Sequence, residues 1–258
     1  MNNFPIYLVS LEKDGERRTI LEKKFSKNYS QFKHINAVDG RLLSARDYFL
    51  EIQPYFKINK KLMSPAELGC TLSHIEAIKC FIESGSERAL ILEDDVIGDD
   101  TSLEIIKAIA KNIPENSVLI CGGQDGLNTK YLFGRYSKEK KIYELAKFSY
   151  AHIFRTCCYV ITRKSALAIL NYQINHKTLA DKWDRFFSNT DIKIMYRNVM
   201  SHPIDLSHSH IESERVLSDV NKLDKLLSVE VVSKILNKVR NFLYYTLYKI
   251  LPLWKNLK

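Results

Sequence analysis

The segment Ala89-Leu90-Ile91-Leu92-Glu93-Asp94-Asp95-Val96 decides how the chain is read. Four apolar residues in a row, without polar alternation, predict a strand covered on both faces, as in the middle of a parallel sheet. The run then stops in three carboxylates. Like charges repel and a buried carboxylate is costly to desolvate, so an acidic triplet at this place needs a reason. In an open α/β sheet, ligands bind beyond the carboxyl ends of the strands. Period-two geometry puts Glu93 and Asp95 on one side and Asp94 on the other. Two carboxylates facing one way suit a hard cation, Mg²⁺ or Mn²⁺. A solvated strand end closed by an Asx turn is the alternative.

Upstream, Ser64-Pro65-Ala66-Glu67 reads as a helix start with a capping box and proline at the first helical position. Leu68, Leu72, Ile75, Ile78 and Ile82 follow at helical spacing, and Gly85 supplies a stop. Ile6–Leu11 and Phe32–Val38 predict the first two strands, with Thr19–Phe25 able to form a helix between them. Residues 41–63 read as irregular. Downstream, a helix is expected over Leu103–Lys111, strands over Ser117–Cys121, Cys157–Thr162 and Ile192–Tyr196, and a helix over Lys164–Leu170. Residues 124–150 and 172–190 are weakly patterned and read as loops of the site. Alternating strands and helices predict an α/β protein with one mostly parallel sheet covered by helices on both faces.

The 258 residues include 45% hydrophobic and 27% charged ones, which excludes a disordered or fibrous chain. Five cysteines, at 70, 80, 121, 157 and 158, form no CxxC pair and no zinc spacing, which fits a reducing compartment. The N-terminus lacks the basic region of a signal peptide, and no apolar run is long enough to span a bilayer. The net charge of +9 is uneven. Residues 231–258 hold six Lys or Arg, no Asp or Glu, and many aromatic and aliphatic residues. This predicts a C-terminal basic amphipathic helical tail, residues 221–258, beside a catalytic domain of residues 1–220. A basic, aromatic, acid-free segment is attracted to an anionic membrane surface. A terminal helix packed on the domain is the alternative. Nucleic acid is not expected as a partner, since the rest of the chain has no basic stripe.

Other strand ends add candidates. Asp125 follows Gly122-Gly123, where glycines permit close approach of a ligand. Asp39-Gly40 is a turn pair. His202, His208 and His210 cluster in a polar segment, as surface histidines or as a source of one metal ligand. Cys157-Cys158 reads as a buried pair rather than a redox centre. No GxxxxGK[ST] or GxGxxG loop is present, against a nucleotidyl- or phosphotransferase.

Seven pieces in order resemble the bacterial lipooligosaccharide glycosyltransferases of family 25. They are Ile6–Leu11 with Glu16-Arg17-Arg18, Ala37–Gly40, Ser64–His74, Ala89–Val96, Tyr159–Ala166, Leu179–Trp183 and Ser209–Arg215, and they cover roughly residues 5–215. The resemblance implies a GT-A-like nucleotide-binding fold and transfer of a hexose, often galactose, from a UDP-sugar. Glu93-Asp94-Asp95 becomes its Asp-x-Asp-like element, with Asp95 on Mn²⁺ or Mg²⁺ and Glu93 and His210 as further ligands. Leu8, Ser10, Arg17, Arg18, Asp39, His74 and Asp94 would lie about the nucleotide and its diphosphate. Cys157-Cys158 departs from the small residues expected there.

An inverting transfer needs a carboxylate to take the acceptor hydroxyl's proton. Asp181 is the first candidate, with Asp184 and Asp125 in reserve. The alternative for Asp181 is an N-cap of the following helix. Trp183 is expected to stack on an acceptor sugar. The expected partners are a UDP-hexose donor, a lipid-linked oligosaccharide acceptor and, through the tail, the cytoplasmic face of the inner membrane. UDP-glucose is an alternative donor, and a non-catalytic membrane-surface protein is an alternative class.

Overall fold

The computed structural model describes residues 4–205, 211, 214 and 229–257. Among them, nine strands form one sheet: β1 (Ile6–Ser10), β2 (Phe32–Asn36), β3 (Arg88–Glu93), β4 (Ser117–Gly122), β5 (Phe133–Ser137), β6 (Ile142–Leu145), β7 (Cys158–Thr162), β8 (Lys193–Met200) and β9 (Lys255–Asn256). Their order is β2-β1-β3-β7-β4-β8-β6-β5-β9. β1 runs parallel to β2 and β3, and β4 to β8. The other five pairings are antiparallel. The sheet is therefore mixed, which corrects the expectation of a mostly parallel one. The apolar run of β7 fits a buried strand of either direction. Its connection decides: β7 starts at the edge where β4 ends, and an adjacent strand starting there must run back antiparallel.

The helices are α1 (Gly15–Lys24), α2 (Ala45–Asn59), α3 (Pro65–Glu83), α4 (Asp100–Ala110), α5 (Arg163–His176), α6 (Trp183–Phe187) and α7 (Val229–Ile250). Alternation along the strands divides the core between the two faces. Tyr7, Val9, Ile91 and Tyr159 pack with Phe81 of α3, Ile169 of α5 and Trp183 of α6. Ile6, Leu8, Leu90 and Leu92 pack on the other face with Leu21 of α1 and Ile106 of α4. Helices thus cover both faces, as expected.

Two segments read as loops carry structure. Residues 45–59 form α2, with Pro54 inside it and Ile52 and Tyr55 buried. Residues 133–145 form the β5–β6 hairpin, whose turn holds Lys141 at φ 54°. Trp183 is 1% exposed and packs against Tyr159, Phe186 and Phe187. It is a core residue, not a platform for a sugar.

The tail helix is fastened to the sheet. Tyr244 and Tyr248 stack on Phe148, and Tyr245 meets Tyr131 and Phe133 edge-on. Beyond α7, β9 pairs with β5. The aromatic residues of the tail therefore hold it to the β5 edge. No helix among the described residues is long and apolar enough to cross a membrane.

α3 begins as its sequence predicts. Ser64 accepts from the Glu67 N–H and Glu67 accepts from the Ser64 N–H, a closed capping box. Its first turns also carry the Ala37–Arg41 loop. A Cβ on Gly40 would stand 1.8 Å from the Pro65 carbonyl oxygen, and one on Gly69 2.4 Å from that of Val38. Only glycine lets the two backbones approach so closely. The Ser73 hydroxyl accepts from the Val38 N–H and completes the seam.

Gly69→Ala should therefore destabilise by more than Ser64→Ala. Overpacking against fixed backbone costs about 1–3 kcal/mol or more, whereas a lost N-cap costs about 1 kcal/mol. Denaturant midpoints measure both, and a Gly69→Ala protein as stable as the parent would contradict the seam.

Candidate active site

The carboxyl ends of β1, β3, β4 and β8 share one edge of the sheet, and a cavity of about 140 Å³ lies there. Val9, Ser10 and Leu11 of the β1 end, Glu93, Asp94 and Asp95, the Ala37–Arg41 loop, and Ala66, Cys70, Ser73 and His74 of α3 line it, with Arg17 and Ile211. The fold rule that ligands sit beyond carboxyl strand ends thus points to the same place as the acidic triplet.

β3 ends at Glu93, and Asp94 and Asp95 lie in the turn that follows. Period-two alternation stops with the strand, so Glu93 and Asp95 are not simply on one side. Each carboxylate takes its own partner instead. Glu93 Oε1 meets His74 Nε2 at 3.0 Å and accepts from the Thr156 hydroxyl. His74 Nδ1 meets the buried Tyr159 hydroxyl at 3.0 Å. Asp94 accepts from Arg17 at 3.0 Å. Asp95 Oδ2 lies 3.3 Å from His202 Nε2. The other oxygen, Asp95 Oδ1, is buried and has no hydrogen-bond partner among the described residues.

The electrostatics follow from burial and pairing. Burial pushes the Asp94 carboxyl above its ordinary range, against the hydrogen bonds from Ser10 and Arg17. Burial alone would lower Arg17, but Asp94 more than offsets this and raises it. Both directions are consistent, because a desolvated carboxylate gains less from its partner than it loses from water. His202 is raised: burial opposes its charge, and the hydrogen bond and charge of Asp95 prevail. Burial pushes the Cys70 thiol well up, and Glu93, Asp181 and Asp95 push it further, so the thiol is neutral. The fork of Arg41 on Asp39, at 2.6 and 2.7 Å, holds that carboxyl far below its usual range, with Lys13 adding at 2.8 Å.

The remaining expected residues are distributed around this centre. Ser10 and Asp39 line the cavity. Leu8 does not: it is 1% exposed and points to the opposite core, since alternation along β1 turns Val9 rather than Leu8 towards α3. Arg18 bonds Ser10 and the Leu11 and Glu12 carbonyls, holding the β1–α1 turn. Asp181 accepts from the Arg155 N–H at 3.1 Å and acts on Cys70 together with Glu93 and Asp95. It is not an N-cap, a place taken by Lys182 without a side-chain bond. Asp125 accepts from the His202 N–H at 3.0 Å, one residue away from the triplet. Asp184 acts instead on His152, beside the tail helix. His208 and His210 lie outside the described residues.

Gly122 and Gly123 make room for protein rather than ligand. A Cβ on Gly122 would meet the Met200 carbonyl oxygen at 1.7 Å, and one on Gly123 the Cys157 sulfur at 2.4 Å. Cys157 and Cys158 are buried, and burial pushes both thiols well up, away from redox chemistry. Arg155 and Thr156 carry no motif, and Cys70, inside the Ser64–His74 piece, has no role assigned to it by the sequence. Arg155 holds φ at 66° and bonds the Gly123 and Asp125 carbonyls at 2.8 and 2.9 Å, tying that turn to Asp181. His202, expected as a surface histidine or a source of one metal ligand, has a side chain 10% exposed and pairs with Asp95 just after the end of β8.

The lowered Asp39 carboxyl sets a pH dependence. Its stabilisation is complete above about pH 5, where the unfolded carboxyl, with pKa about 3.9, is also ionised, and is lost as pH falls below about 4 towards the folded value. Asp39→Asn should therefore flatten the fall in thermal midpoint between those limits. Equal slopes in the two proteins would contradict the pairing.

Comparison with known proteins bears on the whole arrangement. The family model Glycosyltransferase family 25 (LPS biosynthesis protein) matches residues 3–183. A glycosyltransferase 25 family member of Anopheles gambiae is 33% identical over 96 residues, 35% of this chain and 16% of that protein. Procollagen galactosyltransferase 2 of Mus musculus is 27% identical over 96 residues, 35% and 15% respectively. The chain thus spans about a sixth of the length of these curated relatives. A solved structure, S. aureus TarS 1-349, is similar at TM-score 0.42 and 11% identity over 94% of this chain and 80% of that one, too loosely to carry an argument. The family match takes in β1, α1, the Asp39 loop, α3, the acidic end of β3 and Asp181, so the elements around the cavity and the sequence signal coincide: the chain belongs to glycosyltransferase family 25.

Proposed function

We propose that this chain transfers a hexose, galactose first, from a UDP-sugar to a hydroxyl of a lipid-linked lipooligosaccharide or lipopolysaccharide core. The reaction is inverting and uses Mn²⁺ or Mg²⁺, on a GT-A-like arrangement, at the cytoplasmic face of a membrane. The observation that carries the reading is Asp95. Its buried Oδ1 has no partner among the described residues, while its neighbours Glu93 and Asp94 are held by His74, Thr156 and Arg17. A carboxylate oxygen with no donor, at a carboxyl strand end in an acidic cavity, fits a hard-cation ligand. The family description supports the polysaccharide acceptor, and the name of the murine relative supports galactose.

Asp95, with Glu93, would hold the ion. Bound there, a divalent cation supplies positive charge against the charge developing on the leaving diphosphate. The protein's own residues account for the rest. Arg17 and Arg41 bring positive charge to the cavity lining, each oriented by a carboxylate. Guanidinium groups so oriented favour an anionic diphosphate without reorganising on binding. His74, locked between Tyr159 and Glu93, keeps Glu93 in place. Asp181, fixed by the Arg155 N–H, takes the acceptor hydroxyl's proton as its oxygen bonds to the anomeric carbon and the bond to UDP breaks.

Asp95→Asn should abolish transfer while circular dichroism and the thermal midpoint stay near the parent values. Near-normal turnover would contradict the assignment of Asp95. Asp181→Asn should lower kcat by about a hundredfold, the scale of a lost general base, with KM for the donor little changed. An unchanged kcat would move the proton acceptor to Asp125. Chelation should stop transfer and added Mn²⁺ should restore it; full activity in chelator would contradict the metal.

A further inference from the structure

The tail helix has two sides, and the fold uses one. Its tyrosines at 244, 245 and 248 face the sheet edge against Tyr131, Phe133 and Phe148. Leu236, Val239, Leu243, Leu247 and Ile250 recur at three- and four-residue spacing, which places them on one continuous stripe. All five are between 50 and 75% exposed. At 100° per residue this stripe lies opposite Tyr245 and Tyr248. Exposed Arg240 borders the stripe, whereas exposed Lys238 and Lys249 lie toward the Tyr245 side, with Lys249 Nζ 5.8 Å over the Tyr245 ring.

We infer that α7 lies flat on an anionic lipid surface, held to the enzyme by its tyrosine face and to the bilayer by its aliphatic stripe. This goes beyond the transfer reaction and does not depend on it. The sequence alone suggests that the aromatic residues meet the membrane; the structure occupies Tyr245 and Tyr248 against the sheet edge and leaves the aliphatic side, with Phe242 exposed at 63%, for lipid. Charge selects the occupant. Residues 231–258 carry six cations and no acid, so pairing two copies of the tail would bring one strongly cationic segment against another. An anionic headgroup layer matches the net positive charge of the tail while the acyl region takes up the stripe. A helix of 22 residues is about 33 Å long, which gives the stripe a length that a flat surface can engage throughout.

The test uses the full chain and vesicles of phosphatidylglycerol and phosphatidylcholine in equal parts, with pure phosphatidylcholine as comparison. The parent protein should partition at least about tenfold more strongly onto the anionic vesicles, given roughly 1 kcal/mol per basic residue near the surface. The double variant Leu243→Glu, Ile250→Glu should lose that binding. Both side chains are exposed, so its thermal midpoint should match the parent, and so should its transfer to a soluble acceptor. Three results would overturn the inference. The variant could bind anionic vesicles as the parent does. The parent could bind both vesicle types equally. Or light scattering could show a parent dimer, a monomeric variant and no vesicle binding, which would give the stripe to a second copy.

Discussion

Three adjacent carboxylates at the end of a buried strand set the terms for the rest of this molecule. Without partners they would repel one another and lose their hydration. The fold answers by bringing a different element to each: α3 supplies His74 to Glu93, α1 supplies Arg17 to Asp94, and the segment after β8 supplies His202 to Asp95. The segment before β7 adds Thr156. Elements distant in sequence therefore meet at one sheet edge because the charges there require them. Removing one partner leaves a partly buried charge uncompensated, which costs more than a surface pair contributes.

The supports of this centre are themselves tightly specified. Gly40 and Gly69 let the Asp39 loop lie directly on α3, so Asp39, Cys70 and His74 face one cavity. Arg155 accepts a left-handed backbone and ties the Gly123–Asp125 turn to Asp181. A non-glycine residue in that region beside a cavity is the kind of local strain that accompanies function. The result is a preorganised polar rim in which one carboxylate oxygen, on Asp95, has no donor among the described residues.

Much of this was legible in the sequence, and the failures are instructive. The capping box of Ser64, the buried strands at 89–93 and 117–121, and the acidic strand end were all read from local pattern. Strand direction was not, because the apolar run of β7 looks the same either way. α2 was missed because Pro54 interrupts its pattern, although a helix with two well-buried residues tolerates it. The β5–β6 hairpin was missed because its turn uses Lys141 at positive φ rather than glycine or asparagine. Trp183 was misplaced because aromatic residues near a site serve cores as readily as ligands. Thr156 belongs to the site through tertiary packing alone, which no local pattern records. Leu8 and Val9 differ by one residue, and strand alternation sends them to opposite cores.

The central claim is that the Asp95 cavity is a metal-assisted UDP-sugar site. The most direct measurement is release of UDP from a panel of UDP-sugars by the purified protein, with and without Mn²⁺, in the presence of lactose-type or glucoside acceptors. The account predicts metal-dependent release from one donor, UDP-galactose, and a rise in thermal midpoint with UDP and Mn²⁺ together, since a ligand that binds only the folded state stabilises it. Release from no donor, with no thermal shift by UDP, would contradict it.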